Sequence, residues 1–233
     1  MSTHRKRRPP AASILLLAVL SAIAAPAWAA DPVCLDADGI PIAPARPTDQ
    51  GSEHGFENAT CLADASAYGR NNNASGARSS AFGYYNTARG DISSSASGNA
   101  NTASGHLSNA FGYNNTASAG YSSALGLWSI ASGERSSAFG YMNTASGEKS
   151  SAFGNENMAS GSASTALGNH GYASGVRSTA LSGWWDRNGD GYVSGSRDET
   201  SSANGTSSVA LGAGTQAYDN SSVAVGVGSM AGN

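Results

Sequence analysis

The residues best placed to do chemistry are a short run of oxygen ligands, Asp186, Asn188 and Asp190, followed by Gly191. Oxygens at positions one, three and five of such a run converge on a calcium ion when the chain turns sharply; glycine permits the turn, and Tyr192 would add its backbone carbonyl. The acid that should close the loop at position twelve is displaced: Arg197 stands there, with Asp198 and Glu199 one and two residues later. The helices that flank an EF-hand loop are also missing. The same residues read equally as a polar hairpin, since Asn-Gly and Asp-Gly are turn dipeptides and Trp185 and Tyr192 suit cross-strand packing. Beside them, Trp184 and Trp185 are large apolar groups in a chain built mainly from small ones, which makes them candidates for contact with a partner or with the body of the fold.

Little else in the chain has catalytic spacing. His54, His106 and His170 are scattered, and no Gly-x-Ser-x-Gly elbow accompanies the many serines, so an enzyme is not expected. The two cysteines, Cys34 and Cys61, flank a stretch containing Pro41, Pro44 and Pro47. In an exported protein they are expected to form a disulfide that closes this segment into an N-terminal cap. Export is expected because Arg5-Lys6-Arg7-Arg8, an apolar run from Ile14 to Ala25 and Pro26-Ala27-Trp28-Ala29 compose a secretory signal, residues 1–29. Its removal takes away four basic residues and no acidic one, moving the formal charge from -3 to -7. An acidic surface argues against nucleic acid as a partner.

What positions these groups is a repeat of 14 residues. Ala-apolar-Gly triplets recur at Ala67, Ala81, Ala110, Ala124, Ala138, Ala152 and Ala166, and Ala180, Ala210 and Ala224 continue the series. Ala96-Ser97-Gly98 sits one residue late and marks a single insertion. Seven residues after most of these alanines comes Ala-Ser-Gly, as at Ala103, Ala131, Ala145, Ala159 and Ala173. A helical heptad needs two large apolar positions per repeat, and a glycine in each would cost a helix about 1 kcal/mol, so the half-repeat is a short strand ending in a turn. Self-similarity at this period predicts a solenoid with two strands per coil, stacked to roughly 50 Å at about 4.8 Å per coil.

Stacking turns identical positions into ladders. Phe82, Phe111, Leu125, Phe139, Phe153, Leu167 and Leu181 form one; the adjacent alanines face the other way, since strand side chains alternate. A two-strand coil encloses only a slim interior, so one row fills it and the other needs cover from outside, which predicts an oligomer. Tyr84, Tyr113 and Tyr141, with the Asn-Thr pairs at Asn86, Asn101, Asn115 and Asn143, are expected on the surface as a stacked turn ladder and a contact face. The Thr row also resembles that of ice-binding solenoids, but Ile130, Met158 and Tyr172 interrupt it. Glu134-Arg135 and Glu148-Lys149 recur at one place in successive coils and are expected at solvated turn tips.

The phrases Ser79-Ser80-Ala81-Phe82-Gly83-Tyr84-Tyr85-Asn86-Thr87-Ala88, Ser136-Ser137-Ala138-Phe139-Gly140-Tyr141-Met142-Asn143-Thr144-Ala145 and Ser221-Ser222-Val223-Ala224-Val225-Gly226 resemble the head repeats of trimeric autotransporter adhesins, the YadA-like group. The resemblance runs from Ser66 to Asn233, broken by a loop insertion at 183–203. It implies an all-β fold, a left-handed parallel β-roll with three chains side by side. It also implies a surface adhesin that attaches to host matrix, host cells or other bacteria without performing chemistry. The domains expected are therefore the signal at 1–29, an irregular cap at 30–65 and the roll at 66–233. Family members continue into a stalk and a membrane barrel, whereas this sequence stops in mid-pattern and holds no membrane-inserting segment after the signal. The expectation is a fragment of a longer outer-membrane adhesin or a head released in soluble form. The alternative function is a secreted β-solenoid binding module, with calcium-dependent carbohydrate binding centred on the insertion.

Overall fold

A computed structural model describes residues 33–36, 38–41, 50–183, 185–187, 189, 191 and 199–232. The expected signal lies outside them. Among the described residues the chain forms two 12-stranded parallel sheets, and within each sheet every strand pairs with its equivalent one coil away. The long strands, Ser80–Tyr84 and Ser137–Tyr141 among them, make one sheet; the short ones, such as Thr87–Ala88 and Thr144–Ala145, make the other. The pairing Ala124↔Ala138 and Leu125↔Phe139 keeps the 14-residue register, and Ser80↔Ser95 absorbs the inserted residue. The result is the expected all-β solenoid. No helix of the described residues is long and apolar enough to cross a membrane.

The repeated residues explain the winding. Both alanine rows, Ala81 to Ala224 on the long strands and Ala74 to Ala217 on the short ones, face inward with at most 2% exposure and form the apolar core. The walls stand close enough that larger side chains are directed outward. The Phe and Leu row thus lies on the outer face of the long-strand sheet. Nearly every coil carries a glycine of positive φ at this place in its long strand, +121° at Gly140, and a Cβ there would stand 2.1 Å from the Gly154 carbonyl oxygen of the next coil. Only glycine allows that approach. A second residue turns left-handed at each corner, as at Met142 (φ +53°) and Lys149 (φ +57°), so the chain reverses twice per coil.

Three expectations need correction. The asparagines are internal: Asn86, Asn101, Asn115 and Asn143 are fully buried. The Asn115 side-chain amide donates to Asn101 Oδ1 (2.9 Å), Phe111 O (2.9 Å) and Gly126 O (2.7 Å), so the row satisfies backbone carbonyls at a corner from inside. A buried carbonyl left alone would be costly, and asparagine carries both the donor and the acceptor that a stack needs. The roll also begins a coil earlier than residue 66, since Ser52–Phe56 pairs in register with Ser66–Arg70. That coil carries Glu53-His54-Gly55 in place of Ala-apolar-Gly, yet it keeps the strand glycine (Gly55, φ +119°) and the ladder amide (Asn58). Lastly, the ladder resumes at Ser201, where Gly171↔Ser201 and Thr179↔Val209 carry it across the insertion, so the loop ends before residue 203.

Candidate contact surface

The outer face of the long-strand sheet carries the uncovered row. Phe82, Phe111, Leu125, Leu167, Leu181 and Leu211 are 36–42% exposed, while Phe139 and Phe153 pack against each other with ring centroids 5.0 Å apart. Tyr68 stacks on Phe82 at 5.3 Å. Ser97 interrupts the row once.

The corner that follows each long strand gathers the contact candidates Tyr84, Tyr113 and Tyr141. All three are exposed. Tyr84 meets Tyr85 edge-on at 4.3 Å, and the hydrogen bond between their hydroxyls is the main reason that the Tyr84 phenol titrates above its ordinary range. Trp128, which sequence reasoning passed over, stands between Tyr113 and Tyr141 at 6.1 and 6.0 Å. Its signal was present: a tryptophan stands where the neighbouring coils carry Asn114 and Met142.

The opposite corner holds two charge pairs within single coils. Glu148 and Lys149 pair at 2.7 Å and Glu134 and Arg135 at 3.6 Å, all half-exposed. The bond from Lys149 lowers the Glu148 carboxyl's pKa. Pairs also form between coils, Arg78 with Asp64 (3.6 Å) at this corner and His170 with Glu156 (3.3 Å) at the tyrosine corner. Exposed pairs of this kind add little stability.

In the insertion, Trp184, Asn188, Asp190 and Tyr192 lie outside the described residues. Asp186 Oδ1 accepts the Gly189 N–H (2.6 Å) and Oδ2 the Gly191 N–H (3.0 Å), which curls the chain around one carboxylate. Both the hairpin and the calcium reading contain such a turn. Trp185 packs on the roll: a Cβ on Gly228 would stand 2.7 Å from its Cζ3, and its backbone N–H donates to the Glu199 carbonyl at 2.9 Å. The guanidinium of Arg187 lies 6.0 Å from its ring centre. This tryptophan fastens the insertion to the last coil. Among the described residues, no group of three His, Cys, Asp or Glu side chains is arranged to hold a metal.

At the other end Cys34 and Cys61 form a disulfide. The described part of the segment lies along the flank of the first coils, where the Leu35 N–H donates to Ser75 Oγ (3.2 Å) and the Asn73 amide donates to Val33 O (3.1 Å). It therefore acts as a side strap. The first strand, Ser52–Phe56, remains exposed along its length.

No curated protein matches the chain. The family model for the YadA head domain repeat matches residues 63–86, 103–127, 131–157, 159–181 and 203–229, together more than half of the sequence. The matched stretches keep the phase of the coils and omit the loop around Trp185. The family is one of adhesins rather than enzymes, and with its repeats carried coil after coil by this solenoid, the chain belongs to the YadA head domain repeat family.

Proposed function

We propose that this chain is the adhesive head of a trimeric, surface-displayed protein that attaches a bacterium to host matrix, host cells or other bacteria. The observation that carries the reading is the half-exposed apolar row along the long-strand sheet. Nine aromatic and leucine side chains of about 200 Å², most of them some two-fifths exposed, leave about 700 Å² of apolar surface on one chain. That is close to the roughly 800 Å² per partner of a stable interface and more than an isolated roll gains by leaving wet. Three rolls sharing this row cover it. The corners that remain outside then present the same shallow surface many times, and binding strength comes from avidity.

The homotrimer, export through the inner membrane and display at the outer surface form one consistent picture, in which the protein works as a rigid spacer and contact face. Sedimentation equilibrium on the purified chain should give three times the protomer mass, and beads coated with it should bind collagen- or fibronectin-coated surfaces in proportion to head density. A cooperatively folded monomer would remove the trimer from the reading. Beads that bind neither matrix proteins, host cells nor each other would remove adhesion.

A further inference from the structure

Each coil has an outer corner between its long and short strand, and the fold accepts almost any residue there. Ala100, Asn114, Glu156 and His170 all adopt the left-handed turn at one position of this corner, with φ between +53° and +56°. The middle coils are flanked by Asn99 with Ala100 before and Asn155 with Glu156 after, and the tyrosine pair Tyr84-Tyr85 stands one coil further out. In between, Tyr113, Leu127, Trp128, Tyr141 and Met142 take over. Tyr113 is 47%, Trp128 42%, Tyr141 37% and Met142 44% exposed. The indole is held between the two phenol rings at interplanar angles of 76° and 59°. Trp128 (φ +56°) and Met142 (φ +53°) hold a conformation that asparagine and glycine adopt far more readily. Folding does not call for these bulky side chains, since neighbouring coils close without them.

Three properties define what fits. The patch lasts about three coils, about 14 Å along the axis, whereas a contact between identical rolls needs the same chemistry in every coil, as the Phe and Leu row has. Its exposed side chains offer about 400 Å², half of what one partner contributes to a stable protein interface. No charged side chain stands within it: Glu156, one coil beyond Met142 at its edge, lies against His170, and Arg135 leans over Tyr121 at the opposite corner. Asn114 lies beside it, and Asn99 and Asn155 border it in register with Tyr113 and Tyr141. Aromatic faces carry partial negative charge and attract the polarised C–H groups of a sugar ring, while neighbouring amides bond hydroxyls.

We propose that Tyr113, Trp128, Tyr141 and Met142 form a platform for a neutral oligosaccharide of about three sugar rings lying along the solenoid axis. This deepens the adhesion reading, on which it rests, by naming the ligand class of one stretch of the head. The test is titration of the full chain with chitotriose and cellotriose, with a sulfated heparin trisaccharide as the anionic counterpart, followed by tryptophan fluorescence and calorimetry. Saturable binding of a neutral trisaccharide is expected. It should weaken about tenfold or more in Trp128→Ala and stay within about threefold in Trp128→Phe, with oligomer mass and melting midpoint unchanged. No saturable binding of either neutral sugar, preference for the sulfated one, or equal binding by Trp128→Ala overturns the proposal. Loss of assembly in Trp128→Ala also overturns it, by making the patch a subunit contact. If the wild type binds matrix but neither neutral sugar, adhesion stands and the platform falls; if sugar binds but no surface does, the reverse holds.

Discussion

The internal asparagine row contains a natural gap, and filling it should stabilise the protein. Coil after coil, Asn72, Asn86, Asn101 and Asn115 pass a hydrogen bond along the axis, and Asn143 and Asn157 resume the chain. Between them stands Ser129, buried, whose N–H still donates to Asn115 Oδ1 (2.9 Å) and whose hydroxyl donates to Gly140 O (3.2 Å). The Asn143 amide beyond it donates only to Phe139 O (2.9 Å) and Gly154 O (2.7 Å), with no asparagine oxygen before it in the row. Ser129→Asn would replace the hydroxyl's bond and add donors to Asn115 Oδ1 and Leu125 O, and its Oδ1 would meet Asn143. With three or so added bonds at about 1 kcal/mol each, less about 1 kcal/mol of side-chain entropy, the gain is about 2 kcal/mol. For a chain of this size that raises the melting midpoint by about 4–8 °C. Circular dichroism melts of the two proteins at one concentration test it, with midpoints compared directly because repeat arrays need not unfold in two states. A midpoint that is unchanged or lower would refute the ladder as a source of stability.

Asn115→Ala should do the opposite, stranding the carbonyls of Phe111 and Gly126 and the Ser129 N–H at a cost of about 3–5 kcal/mol, while Ser136→Ala, whose buried hydroxyl has no partner, should be near neutral; urea midpoints separate the two. Gly140→Ala combines a φ of +121° with a 2.1 Å approach to Gly154 O and should lower stability by more than about 3 kcal/mol, read as loss of soluble protein or of the folded dichroism signal. Phe139→Asp with Phe153→Asp should dissociate the assembly in sedimentation without unfolding the roll, since a charge enclosed at an interface without a partner costs several kcal/mol. Calcium titration calorimetry on the native chain and on Asp190→Ala decides the insertion: heats saturating at about 10⁻⁴ to 10⁻³ M and lost in the variant assign a weak site, and two flat traces assign a turn-rich hairpin.

The sequence by itself determined the solenoid, because the 14-residue period, the small residues and the glycine in nearly every half-coil leave no other stable winding. It also carried the register, down to the extra residue before Ala96, since each ladder admits only its own residue type. The direction of the ladders was decided by the tertiary structure. Alternation says that Ala138 and Phe139 face opposite ways, but only the distance between the two sheets selects alanine for the inside. The asparagines were misplaced for the same reason: Asn-Thr before a turn reads as surface until the coil above supplies the carbonyl that Asn115 bonds. At the first coil, Glu53-His54 hid a strand that exists because the next coil templates it. Trp185 could have faced solvent or protein, and packing on Gly228, some forty residues later, decided it. Local pattern fixes which residues repeat, but which of them are buried depends on what stacking brings beside them.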